Sequence, residues 1–219
     1  MNKKIIMVAV ALVGLGLIFF GASRLYKSQE SQKLSFIAQE NFEVFVRDYS
    51  PKLGSLKPKV YLVEFLDPEC ESCREFYPMV KMLLSEFEGQ LQLVVRYAPF
   101  HGNSEFVIKV LEAARKQNRY WEALETLFHN QPQWGSHHHP RPELVWQFLP
   151  ESGVNVDQIR ADMTSPEFEK IIAQDMADAR TLGVRATPSF FVNGRPLEQF
   201  GYEPLRKLIK EEVDRLENN

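Results

Sequence analysis

The chain predicts an α/β fold in which an all-helical block is inserted between a βαβ start and a ββα finish, with one apolar helix ahead of everything. Three observations carry this. Residues 5–22 are uncharged and almost wholly apolar. Two short apolar runs, Val60–Leu66 and Leu91–Tyr97, flank a stretch of helical periodicity. Some eighty residues of helical pattern then pass before a strand, an Asn-Gly turn and a last amphipathic helix.

The N-terminal run, IIMVAVALVGLGLIFFGA, follows Lys3 and Lys4. As a helix it would rise about 27 Å, close to the roughly 30 Å hydrocarbon core of a bilayer. A buried core helix would need a polar face that this run lacks. Gly21 and Ser23 could serve a cleavage site, which would leave a soluble periplasmic protein, but the run exceeds the usual signal core. The expectation is therefore a signal anchor over 1–23 that holds the chain to the membrane through residues 5–22. Residues 24–41 are polar and read as a juxtamembrane spacer, and 42–219 as the folded domain.

Within that domain Phe42–Asp48 alternates apolar and polar, the pattern of an edge strand, and 50–59 reads as a Pro/Gly loop. Val60–Leu66 (VYLVEFL) has the continuous apolar character of a strand covered on both faces. A helix follows with Phe76, Val80, Leu83, Leu84 and Phe87 on one side. Leu91–Tyr97 is a second buried strand, and strand–helix–strand at these lengths is a parallel βαβ unit.

The helical insertion covers about 103–183. It holds segments at 105–118, 120–129 and 143–148, a short one after Asn155, and one from Ser165-Pro166 to Gly183. Ser189–Val192 is a strand. Asn193-Gly194 is a hairpin turn, and Arg195–Leu197 returns. The last helix carries Leu205, Leu208, Ile209, Val213 and Leu216, with Pro204 at its start.

The whole chain carries a net charge of −3, with 44% hydrophobic and 25% charged residues. No basic block or basic–aromatic stripe stands out, which excludes nucleic acid as the expected partner.

The only cysteines are Cys70 and Cys73, a C-x-x-C at the mouth of a helix directly after a buried strand. Unpaired N–H groups and the helix dipole favour an anion there, so Cys70 is the expected nucleophile. Cys73, one turn further in, is the resolving thiol of a redox-active disulfide. As a structural staple so short a loop would contribute only about 2 kcal/mol, against about 4.7 for a 100-residue loop. As a zinc site the pair lacks two ligands, which only a coincidence of folding could bring from His137–His139.

Val63-Glu64-Phe65 ahead of this motif, with Thr187-Pro188 before a later strand, resembles the thioredoxin superfamily. The long helical insertion resembles its DsbA-like branch, as do Pro99-Phe100-His101 and Tyr120-Trp121. The resemblance covers about residues 42–217. It implies a thioredoxin fold with an inserted helical subdomain, an exported protein-disulfide oxidoreductase with no organic cofactor, and catalysis on the periplasmic side. It also implies unfolded or partly folded exported proteins as partners, with a redox partner that the sequence does not identify. Glu64 matches the family's buried acid, which moves the proton of the resolving thiol. Pro188 matches its cis-proline, and Thr187 the residue that holds a substrate peptide. Taken alone, Glu64 is an unusual charge inside an apolar strand, costly unless functional or paired.

The dipeptide between the cysteines, Glu71-Ser72, departs from the family's Pro-His and Gly-Pro forms. A carboxylate beside Cys70 should raise its pKa and weaken the oxidant. A reductase or isomerase of the same fold is the near alternative. A copper-handling protein using the dithiol and His137–His139 is the distant one.

Overall fold

The structure is a computed structural model and describes residues 3–136 and 138–217; within the first helix the side chains of 3–6, 8–11, 27–28, 30–31, 35 and 39 lie outside the description. Helix α1 (Lys3–Glu40) leads into a 3-10 turn at Phe42–Val44. Then come β1 (Lys52–Gly54), β2 (Val60–Leu66), α2 (Glu71–Glu86) and β3 (Leu91–Tyr97). The helical block comprises α3 (Ser104–Lys116), α4 (Tyr120–Trp134), α5 (Val145–Phe148), α6 (Val156–Asp162) and α7 (Pro166–Thr181). Strands β4 (Ser189–Val192) and β5 (Arg195–Pro196) and helix α8 (Tyr202–Glu217) complete the chain.

The five strands lie in the order β1-β3-β2-β4-β5. β2 and β3 are parallel, as the intervening helix requires, and β1, β4 and β5 pair antiparallel. Side chains alternate across the sheet, so β2 feeds two cores. Val60, Leu62 and Leu66 face α2, α3, α4 and α8. Val63 and Phe65 meet Phe45, Leu182 of the loop after α7, and Leu34 of α1 on the other face. Glu64 falls on the first, larger face, in register with Val95 and Phe190.

The edge strand is not where the alternation placed it. Val44 and Phe45 are adjacent and both buried, which a strand with one solvated face cannot do, and the segment turns instead. Arg96, wholly buried on β3, donates from Nη1 to the carbonyls of Val44 and Phe45 and from Nε and Nη2 to Asp175 Oδ1. Arg96 also binds Asp178, which Arg47 grips through Nε and Nη2 at 2.9 Å each. This charge cluster ties the turn to β3 and α7, and the edge of the sheet falls to Lys52–Gly54.

Other boundaries follow tertiary contacts. Helix α4 runs on through Pro132 to Trp134, whose buried ring donates from Nε1 to the Leu127 carbonyl at 2.8 Å. Asn155 caps α6 by accepting from Gln158 N–H, whereas Ser165 precedes α7 with no side-chain cap bond. Asn193 and Gly194 turn with φ of 48° and 84°, the primed geometry of a two-residue hairpin. A side chain at Gly194 would also run into Ala38, because the end of α1 rests on this turn.

Residues 5–22 lie in the first half of α1. Among the described residues, no helix is long and apolar enough to cross a membrane.

Candidate active site

Strand β2 ends at Leu66, and the chain turns through Asp67-Pro68-Glu69 to bring Cys70 to the N-cap of α2. Cys70 has extended backbone angles (φ −73°, ψ 120°), and its N–H donates to the Asp67 carbonyl at 3.1 Å. Its sulfur lies 3.2 Å from the Thr187 carbonyl oxygen. This contact brings the loop before β4 to the helix mouth, and the Thr187-Pro188 bond in that loop is cis. Cys73 is fully buried one turn in, and Cys70 keeps a small exposure of 6%.

The two thiols are set apart chemically. The hydrogen bond from Cys73 is the largest influence on Cys70. With the Thr187 hydrogen bond and the N–H groups of Cys73 and Ser72 it outweighs burial, and Cys70 is brought down to about 6. Burial pushes Cys73 well above the ordinary thiol range, and the anions of Glu64 and Cys70 push the same way. Cys70 is thus largely thiolate at neutral pH while Cys73 keeps its proton. Glu71 has an exposed side chain, and the largest influences on Cys70 come from Cys73, burial, Thr187 and Ser72.

Glu64 is wholly buried, and neither carboxylate oxygen has a hydrogen-bond partner among the described residues. Burial above all, with the Cys70 anion adding to it, pushes Glu64 up to about 8. An acid that gains and loses its proton near neutrality, in the apolar space between β2 and α2, suits proton transfer with Cys73.

The loop carrying the nucleophile is held by a polar network whose members are mostly distant in sequence. The fully buried Asp67 carboxylate accepts from the N–H groups of Glu69, Phe100 and His101 at 2.9, 2.7 and 3.1 Å, and from the Ser104 hydroxyl. His101 Nδ1 lies 2.8 Å from the same carboxylate. Glu69 accepts from the Asn103 N–H and side-chain amide at 2.8 and 2.9 Å. From α4, Gln131 donates to the carbonyls of Pro68 and Cys70 at 2.9 and 3.1 Å. The one available signal was three polar or rigid residues, Asp67-Pro68-Glu69, wedged between a buried strand and a cysteine.

Cys70, Cys73, Glu64, Thr187 and Pro188 therefore gather at one end of β2 and β4. Among the described residues no group of three or more His, Cys, Asp or Glu could hold a metal ion. His137, one of the three histidines of the copper reading, lies outside the described residues.

A family model described as thioredoxin matches residues 47–211. A thioredoxin-like oxidoreductase from Silicibacter pomeroyi is 30% identical, with a TM-score of 0.69 over 82% of this chain and 99% of that one. A probable disulfide bond formation protein D of Bacillus cereus is 27% identical over 78% of this chain and 82% of its own length. The Na(+)/H(+) antiporter NhaA of Herminiimonas arsenicoxydans is 34% identical over 66% of this chain, but the chain spans only 22% of that relative's length. The chain belongs to the thioredoxin superfamily.

Proposed function

We propose that this DsbA-like chain exchanges disulfides with unfolded or partly folded exported proteins through Cys70 and Cys73. The observation that carries the reading is the asymmetry of the pair, a Cys70 brought down to about 6 beside a buried Cys73 pushed well up. In the forward step a substrate thiolate attacks the sulfur of Cys70 in the enzyme disulfide, and Cys73 leaves as a thiolate that takes a proton. A second substrate thiolate then displaces Cys70, which leaves readily as a stabilised anion. Glu64 holds and returns the proton of Cys73. Thr187 and Pro188 border the sulfur of Cys70, where an extended substrate segment can lie alongside. Run backwards, the same steps reduce or isomerise a disulfide, and an external redox partner sets the direction.

The same proposal places residues 42–219 outside the cytoplasm and keeps residues 1–23 as an uncleaved anchor. What supports the anchor is the 18-residue apolar run together with the exposure of Leu12, Val13, Leu15, Leu17, Ile18 and Phe19 on α1, each more than 60% open. Soluble surfaces rarely present so much contiguous apolar area.

The test is covalent trapping. Cys73→Ser should accumulate mixed disulfides through Cys70 on exported proteins, and Cys70→Ser should accumulate none. Trapping through Cys73 instead would overturn the assignment of roles.

A further inference from the structure

The exchange steps give His101 no role, yet the fold spends a buried carboxylate on holding it. Asp67 is fully buried, and four donors besides the imidazole bond its two oxygens. Its own carbonyl accepts from Cys70 N–H. Against a carboxylate, the Nδ1 of His101 is the nitrogen that carries a proton. The ring is thereby pinned to the turn that presents the nucleophile, with 28% of the side chain open to solvent for proton exchange. Among the described residues, the titratable groups that act most on it are Asp67, Cys70 and Glu69. What α3 and α4 bring to the same loop, Asn103, Ser104 and Gln131, is uncharged.

We infer that His101 is a positioning residue of the exchange reaction, an imidazole held by Asp67 beside Cys70 that takes up a proton when the Cys70–Cys73 disulfide is reduced. The inference rests on the dithiol exchange reading. When a substrate dithiol reduces the enzyme, its two sulfurs join, the enzyme S–S bond breaks, and two electrons and two protons leave the substrate. Cys73 receives one proton and Cys70 stays a thiolate, so one proton remains. The new negative charge on Cys70 favours the imidazolium, and His101 receives that proton.

The sign follows from the charges around the ring. Burial lowers the pKa of His101, but the Asp67 hydrogen bond and the anions of Asp67, Cys70 and Glu69 more than offset it, and the net direction is upward. In the oxidised enzyme Cys70 bears no charge, so one of these contributions is gone and His101 releases its proton at lower pH. Between the two midpoints reduction takes up a proton at the imidazole.

The experiment is an NMR titration of the His101 imidazole in the full chain, once oxidised and once reduced. The midpoint should be higher in the reduced form, by about 0.3 to 1 unit for a partly screened pair. Linkage is reciprocal, so His101→Gln should raise the Cys70 pKa by the same increment. Equal His101 midpoints in both redox states would overturn the inference, and so would an unmoved Cys70 in a folded His101→Gln protein. If that variant fails to fold, the comparison in the unmutated chain decides alone. A chain that shows no reversible dithiol couple would overturn the exchange reading itself, whereas a reversible couple with an unlinked histidine overturns only the role of His101.

Discussion

The sulfur of Cys70 lies 3.2 Å from the carbonyl oxygen of Thr187, which sets the nucleophile against the residue preceding the cis-proline. The contact spans 117 residues of sequence and closes the helix mouth against the start of β4. The carbonyl is an acceptor, so this contact takes the S–H of the thiol form of Cys70 and ties the redox motif to the residue before Pro188.

Thr187 also holds the Cys70 pKa down by hydrogen bonding. Thr187→Val keeps the side-chain volume and removes the hydroxyl, so it should raise the Cys70 pKa by up to about one unit. Thiolate absorbance followed against pH reads this directly. A Cys70 that titrates as before would mean that the Thr187 hydroxyl gives the thiolate no hydrogen bond.

Cys70 should react with an alkylating reagent at half its maximal rate near pH 6, and Cys73 should stay unmodified through neutral pH. Mass mapping of protein alkylated at pH 7 checks both statements. Modification divided evenly between the two cysteines would remove the asymmetry on which the mechanism depends.

Much of this site was legible before any coordinates, because its parts announce themselves locally. A cysteine pair at a strand-to-helix junction, one acid in an apolar strand, and a Thr-Pro ahead of a strand are short patterns with few competing explanations. The hairpin was equally plain, since Asn193-Gly194 suits positive φ at both positions. What stayed hidden was long-range. Asp67 meets His101 across 34 residues and Arg96 meets Asp175 across 79, and no local periodicity reports either pairing. The same kind of contact displaced the edge strand: Phe42–Asp48 alternates like a strand, yet Arg96 captures the carbonyls of Val44 and Phe45 and turns the chain.

Glu64→Gln should slow exchange, because proton transfer at Cys73 loses its acceptor. It should also change stability in a defined pH window. The folded pKa of Glu64, about 8, lies above its ordinary value of 4.5, so the native state binds the extra proton. Stability from this group is fully present below about pH 4.5 and is lost as pH rises towards 8, at about 1.36 kcal/mol per unit. Urea denaturation of reduced protein at pH 5 and pH 8 should therefore show the variant gaining on the unmutated chain by a few kcal/mol at the higher pH. A constant difference across that range would make Glu64 a structural residue with no titration of its own.

The anchor proposal predicts that the mature chain keeps its first residues and stays with membranes through a carbonate wash. An apolar stretch of about 18 residues binds the bilayer core too firmly for high pH or salt to release. N-terminal sequencing that begins near Arg24, with the protein in the soluble fraction, would replace the anchor with a cleaved signal.

The central claim is that Cys70–Cys73 is a working redox couple, and its reduction potential measured by equilibration with glutathione tests that most directly. A catalytic pair should come to a reversible two-electron equilibrium between about −270 and −120 mV, the span from thioredoxin to the most oxidising exchange proteins. That equilibrium should vanish in Cys70→Ser. A potential below about −300 mV, or a disulfide that does not equilibrate with glutathione at all, is the behaviour of a structural bridge and would contradict the account.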